Sequence, residues 1–292
     1  MTDPMPALPR NLVEAAEREG RTAWLGTIAA SVAGLPRAWS LTVGAPFQPG
    51  GQTAWVAPAY ARDGAPRVLK IAWRHWESEQ EADGLRVWAG HGAVRLFAAE
   101  SLGETSAVLL ERCRPGTPLA ARQEPEQDEV IAGLLPQLWV QPPPGHRFRS
   151  LATMCQRWAA EFDAQLAGAP GLLDPGLARD GSAMLRALPA TADRRVLLAT
   201  DAHAGNVLES ERGYLLIDPK PHADGDPTFD AVQHLLNCEE RLQADPGGLA
   251  GRMADLLELD AERLRRWLFA RCVQEAPNWP PFADIARRIR ID

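Results

Sequence analysis

Asp201-Ala202-His203-Ala204-Gly205-Asn206-Val207-Leu208-Glu209-Ser210-Glu211-Arg212-Gly213-Tyr214-Leu215-Leu216-Ile217-Asp218 is the stretch on which the reading of this chain turns. Its apolar arms, Val207-Leu208 and Tyr214 to Ile217, flank Glu211-Arg212-Gly213, and that pattern predicts a short β-hairpin. With Arg212 taken as the centre, Asn206 falls opposite Asp218. Directly opposed residues of an antiparallel pair have Cα atoms ~4.5–5.5 Å apart. An amide and a carboxylate would then meet at the open end of the hairpin, with Asp201 in the loop that leads in. Such oxygen donors suit a hard cation such as Mg²⁺, and the other acid, Asp201, is left to act as a base.

Length and composition set the frame. A chain of 292 residues is long enough for two lobes, and 46% hydrophobic with 24% charged residues is ordinary for a globular protein. A net charge of −7 with no Lys/Arg stripe argues against nucleic acid and tolerates a small cationic partner. Cys113, Cys155, Cys238 and Cys272 are scattered without a C-x-x-C or a histidine at ligand spacing, so reduced buried thiols are expected. The first residues lack an apolar signal core and no segment is apolar enough to span a bilayer, so no membrane partner and a cytoplasmic location are expected. The oligomeric state is not legible.

Outward from the hairpin, the first part of the chain reads as β-rich. A polar helix is expected over 11–19, then strands over 40–43, 53–57 and 67–73. A helix over 76–89 follows, then strands over 93–98 and 107–111. In the strand ending at Trp73, Lys70 shares a face with Val68 and Ala72, while Leu69, Ile71 and Trp73 take the other. On the helix, Glu77, Glu81, Leu85 and Trp88 form one stripe, which points Glu81 inward. The run Arg112-Cys113-Arg114-Pro115-Gly116 reads as a hinge. This gives a nucleotide-binding lobe over 1–112 and a catalytic and substrate-binding lobe over 113–292. The second lobe is mostly helical, with helices expected over 127–140, 151–167, 229–242 and 249–271, a loop over 168–181 and a strand over 195–199.

Lys70 on a strand, followed by a helix with an inward Glu81, is the layout of an ion pair that grips nucleotide phosphates; a snorkelling lysine is the alternative. Gly44, Gly50 and Gly51 sit at a hairpin turn where backbone N–H groups could cover phosphates, or simply form the turn. His203 is either a phosphate contact or a structural imidazole, and Lys220 either reaches a ligand or forms a structural salt bridge. Asp226 and Asp230 read as helix-entry and loop-organising acids. Glu239 and Glu240 are candidates to meet a cationic substrate.

With these residues in place the chain resembles the aminoglycoside phosphotransferases, in the branch of streptomycin 6-kinases and hydroxyurea phosphotransferases. The likeness rests on the segments 201–208, 217–221 and 225–237, with 68–73, 81–90, 109–116 and 267–273 in support. It implies an α+β, two-lobed protein-kinase-like fold with a small β-rich N-lobe and a larger helical C-lobe. It implies ATP and Mg²⁺ as cofactors, Asp201 as catalytic base and Asn206 and Asp218 as metal ligands. Lys70 would hold the nucleotide phosphates with Glu81 as partner, and the end of the strand at Glu111 and Arg112 would meet adenine through backbone groups. The family's usual His-Gly before the base is Ala199-Thr200 here. The expected activity is phosphoryl transfer to a hydroxyl of an aminoglycoside of the streptomycin type, conferring resistance, with hydroxyurea or another small alcohol as the alternative acceptor. A catalytically silent nucleotide binder is the competitor from another class. The short run from Pro219 to Thr228 argues against a protein substrate.

Overall fold

The computed structural model describes residues 6–169 and 171–290, and the chain divides into two compact units, Met1–Gly116 and Thr117–Asp292. The division falls after Gly116, at the far end of the expected hinge run.

Unit 1 is a five-stranded antiparallel sheet with helices on both faces. Its elements are α1 (Arg10–Arg18), α2 (Thr22–Ala38), β1 (Thr42–Val43), β2 (Ala54–Tyr60), β3 (Pro66–Trp73), α3 (Glu81–Trp88), β4 (Leu96–Leu102) and β5 (Thr105–Glu111). The strand order is β1-β2-β3-β5-β4. Alternation along β3 behaves as the sequence predicts. Leu69 and Ile71 are fully buried in a core with Trp55 of β2 and with Leu12, Trp24, Ile28 and Leu35, which α1 and α2 supply. Lys70, in register with Val56 and Val108, takes the opposite face.

Two expectations for this unit need correction. The 17-residue α2 has no counterpart in the predicted elements. Its signal is present, because Trp24, Ile28, Ser31 and Leu35 recur at helical spacing and are buried. Gly26, Gly34 and Pro36 mask it, and its Trp24 Nε1–H donates to Thr105 Oγ1 at 2.9 Å, fastening the helix to the sheet. The helix predicted over 76–89 begins only at Glu81. Residues 77–80 form turns closed by the Glu81 N–H on Ser78 O, so Glu77 falls off the expected stripe while Glu81, Leu85 and Trp88 remain buried on it.

Unit 2 comprises α4 (Glu124–Leu138), α5 (Leu151–Gly168), α6 (Pro175–Ala187), β6 (Val196–Leu198), β7 (Val207–Ser210), β8 (Gly213–Leu216), β9 (His222–Gly225), α7 (Pro227–Leu236), α8 (Glu239–Ala244), α9 (Pro246–Leu257), α10 (Ala261–Glu275) and α11 (Pro281–Ile289). Helix α6 occupies what composition suggested was a loop. Asp174 caps it by accepting the Leu177 N–H, Pro175 stands at its first turn, and Gly181 lets α10 approach, since a Cβ there would lie 2.4 Å from Val273. The helices expected over 229–242 and 249–271 are each broken in two. The chain turns at Asn237-Cys238 in the first case. In the second, Glu258 is left-handed and Asp260 caps a fresh helix through the Arg263 N–H. Asp226 accepts the Thr228 N–H at the start of α7 and takes Arg263 Nε and Trp267 Nε1 at 2.6 Å each. The loop that enters α7 is thereby locked to α10, as expected of a helix-entry acid.

Candidate active site

In unit 1, Lys70 Nζ donates to both carboxylate oxygens of Glu81 at 2.8 Å. The two side chains are 8% and 4% exposed. Glu81 lies in the first turn of α3, where the N-terminal end of the helix dipole favours a carboxylate. An ion pair buried this deeply seldom adds stability over an apolar pair, so its presence points to a task other than folding. Glu111 ends β5 and is tied to Arg95: the Glu111 N–H donates to Arg95 O at 2.8 Å, and its carboxylate accepts the Arg95 N–H at 3.0 Å. Arg112 Nη1 donates to the Tyr60 hydroxyl at 3.1 Å. The glycine turn is held from below, with Asn11 Nδ2 on Gly50 O at 2.9 Å and Pro9 so close that a Cβ on Gly50 would lie 2.4 Å from it.

In unit 2, the hairpin forms with a register one residue away from the expected one. Val207 pairs with Leu216 and Ser210 with Gly213, leaving a two-residue turn, Glu211-Arg212. The partner of Asn206 is therefore Ile217, whose N–H donates to Asn206 O at 2.8 Å, rather than Asp218. A two-residue hairpin turn centres between residues, whereas the expected three-residue turn centres on one. Asp218 follows directly, with φ 53°, a left-handed turn out of the strand.

Asp201 is the hub of this region and is only 14% exposed. Its Oδ2 accepts Lys220 Nζ at 2.6 Å and Asn206 Nδ2 at 3.1 Å; its Oδ1 accepts Gln233 Nε2 at 3.2 Å. Lys220 thus forms the salt bridge that was one of its two expected roles. His203 Nδ1 accepts the Gly205 N–H at 3.2 Å, which leaves the proton on Nε2, 3.9 Å from Asp201 Oδ1. Burial lowers the His203 pKa, while the Asp201 and Asp218 carboxylates oppose that shift.

Asp230, fully buried on α7, accepts the backbone N–H groups of Ala199 (3.0 Å) and Thr200 (2.7 Å) and the Trp139 indole N–H (3.2 Å). It organises the loop, as the sequence predicts. Burial pushes its pKa up to about 6 despite those three donors. Thr200 adopts φ 52°, a conformation costly for a β-branched residue and natural for glycine. The N–H bond to Asp230 and a hydroxyl bond from Thr200 Oγ1 to Lys220 O hold it there. The place where the resembled family has Gly is therefore a place where the backbone calls for one.

Glu239 and Glu240 are exposed in the first turn of α8, an ordinary position for acids near a helix N-terminus. Among the described residues, no hydrogen bond or ion pair ties either to the Asp201 group. Gln233 went unnoticed in the sequence, although its i,i+3 spacing from Asp230 on α7 puts both on one face.

The histidine absent from sequence-spaced metal patterns does meet a cysteine in space. Asp128, His234 and Cys238 form the one such grouping among the described residues. It is a poor cation site. Asp128 already takes His234 Nε2 (3.0 Å), both Arg241 Nη atoms (3.0 and 2.6 Å) and Arg252 Nε (2.9 Å), and burial pushes the Cys238 thiol up to about 12. All four cysteines are buried, and none is in a disulfide among the described residues.

Comparison with known proteins shows what this chain is similar to. The family model described as aminoglycoside/hydroxyurea antibiotic resistance kinase matches residues 40–280. A hydroxyurea phosphotransferase of Kitasatospora aureofaciens is 37% identical over 283 residues, covering 91% of this chain and 78% of that protein. A streptomycin 6-kinase of Streptomyces glaucescens is 33% identical over 263 residues, covering 87% and 83%. Among solved structures, an aminoglycoside phosphotransferase from Streptomyces rimosus in complex with ADP and streptomycin aligns with a TM-score of 0.52 at 17% identity, covering 76% of this chain and 90% of that one. A choline kinase from Streptococcus pneumoniae aligns at 0.55 and 12% identity, covering 87% and 95%. The structural likenesses establish the protein-kinase-like fold. The sequence relatives establish more.

Proposed function

The chain belongs to the aminoglycoside/hydroxyurea antibiotic resistance kinase family, a family of small-molecule phosphotransferases, and from that premise we propose that it transfers the γ-phosphoryl group of ATP to a hydroxyl of a streptomycin-type aminoglycoside. The observation that carries this reading is the 33% identity to two streptomycin 6-kinases over most of both chains. The acidic balance of −7 is compatible with a polycationic acceptor. A second reading, hydroxyurea as acceptor, is favoured by the 37% identity to a hydroxyurea phosphotransferase. No helix among the described residues is long and apolar enough to cross a membrane, which accords with a cytoplasmic role.

Each proposed role rests on a residue already placed. Lys70, steadied by Glu81, presents a compact cation to the nucleotide phosphates, with the end of β5 at Glu111 and Arg112 as the adenine edge. Asp201 accepts the proton of the acceptor hydroxyl. Asn206 and Asp218 fit Mg²⁺ by their chemistry: the Asn206 amide nitrogen is committed to Asp201, so the Asn206 amide oxygen and the Asp218 carboxylate are the hard oxygen donors that would hold it. Bound there, Mg²⁺ supplies charge neutralisation for the phosphates. His203, Glu239 and Glu240 are the proposed substrate-side groups, the glutamates through charge-assisted bonds to guanidinium or ammonium.

A coupled ADP-release assay over streptomycin, other aminoglycosides and hydroxyurea, with mass spectrometry of the product, tests the reading. ATP-dependent phosphorylation of streptomycin supports it, and turnover of hydroxyurea alone replaces it with the second. Nucleotide binding without transfer to any of these acceptors would overturn both.

A further inference from the structure

An ionised carboxylate offers about four lone-pair sites. At Asp201 two of them, on Oδ2, are taken by Lys220 and Asn206, and one, on Oδ1, by Gln233. The remaining site is on Oδ1, and His203 Nε2, at 3.9 Å, lies beyond hydrogen-bond distance of it.

Gln233 is in turn oriented from behind. Arg271 Nη2 lies 3.5 Å from Gln233 Oε1, a long contact whose weight is electrostatic. The Arg271 guanidinium is buried and stacked over Trp158 at 4.2 Å, with Glu275 at 3.3 Å and Gln274 as further partners. Asp201 can only accept and Arg271 can only donate. A carboxamide, which carries one acceptor and one donor group, joins them in a single orientation. The helix that presents Gln233 also presents Asp230, three residues earlier, to the backbone of Ala199 and Thr200. One face of α7 therefore fixes the backbone before Asp201 and the side chain of Asp201 itself.

We infer that Gln233 is a positioning residue for phosphoryl transfer: held by Arg271, it fixes the Asp201 carboxylate so that Oδ1 is the atom that accepts the acceptor's proton. The inference rests on the proposed role of Asp201 as base. In the step, the acceptor hydroxyl oxygen bonds to the γ-phosphorus and its proton passes to Asp201 Oδ1. The bond from that phosphorus to the bridging oxygen breaks, and its electron pair leaves with ADP.

Gln233→Met keeps the side chain's length and removes both polar groups; Gln233→Glu keeps its shape and turns a carboxylate towards Asp201. Both are measured on the full chain with the acceptor that gives turnover, beside Asp201→Asn as control and with thermal unfolding of each protein. The expected result is a loss in kcat of roughly 10–100-fold in both variants, with KM for ATP and acceptor within about twofold of the parent and the folded fraction unchanged. A purely structural glutamine would instead lower the folded fraction in step with activity, or leave kcat alone, and either outcome overturns the inference. If Asp201→Asn retains turnover, or no acceptor is phosphorylated, the underlying reading fails, and this failure is distinguishable because it does not depend on Gln233.

Discussion

Unit 2 contains two carboxylates that gather donors from across the chain, and they are finished differently. Asp128, with no solvent exposure, accepts four bonds: His234 and Arg241 on Oδ1, Arg241 and Arg252 on Oδ2. Burial alone would raise its pKa, yet the bonds from His234, Arg241 and Arg252 outweigh burial and hold it well below the usual carboxylate range. It ties α4 to α7, α8 and α9 and has no capacity left. Asp201 accepts three bonds and keeps partial exposure and one lone pair. A saturated buried carboxylate is architecture, whereas an incompletely satisfied one at the surface of the same unit is a place for chemistry. Donor counting separates the two where charge and burial alone would favour Asp128.

The strongest test removes the open carboxylate. Asp201→Asn should lower kcat by about 10²–10⁴-fold, the usual contribution of a positioned base, with thermal unfolding little changed; steady-state kinetics beside a melt reads both. The reverse pattern is expected at the saturated centre. Asp128→Asn removes the buried anion that Arg241 and Arg252 share, leaving them Glu124 at 3.4 Å and Glu129 at 3.2 Å, at a cost of about 3 kcal/mol, a drop in Tm on the order of 10 °C, while turnover per folded molecule survives. If Asp128→Asn abolishes turnover in folded protein, the division between architecture and chemistry is wrong.

A smaller effect separates Asp128 from Asp230. The folded pKa of Asp128 is depressed, so its contribution is fully present above the unfolded value near 4 and is lost as pH falls below that value and through the lower folded one. That of Asp230 is raised from 3.8 to about 6, so its protonated form favours the fold below about 4, and this contribution is lost as pH rises through about 6. The difference amounts to on the order of 3 kcal/mol. Urea midpoints from pH 4 to 7 should show wild type losing stability relative to Asp230→Asn across that window. A constant difference would contradict the assignment.

The smallest effect concerns the approach to Asp201. Thr200→Gly relieves a left-handed threonine, worth about 1–2 kcal/mol, and loses the hydroxyl bond to Lys220 O, worth about 1 kcal/mol. Stability within about 1 kcal/mol of the parent is expected by urea unfolding, together with nearly unchanged kcat. A large loss of kcat would place the Thr200 hydroxyl among the reacting groups.

Wherever a local period governs, the chain was legible. Strand alternation put Lys70 on the face away from Leu69 and Ile71, helical phase put Glu81 on the buried stripe with Leu85 and Trp88 although only the later helix start removed Glu77 from it, and Asp226 and Asp230 read correctly as organising acids. Errors arose where a local signal was diluted or a boundary hung on one residue. Glycines and prolines masked α2 and α6, and a turn of two residues rather than three moved the partner of Asn206 from Asp218 to Ile217.

By itself, then, the sequence determined the fold class and the family, and it singled out Asp201, Asn206 and Asp218 as candidates because all three sit within one short segment. Only the tertiary structure decided how Asp201 is held and how Asp128 is saturated. Gln233 lies 32 residues from Asp201, and Asp128 draws its donors from 106, 113 and 124 residues away. Periodicity is a property of neighbours along the chain. Which distant donor meets which carboxylate depends on how α4, α7, α8 and α9 pack, and that packing is set by the whole apolar surface they bury.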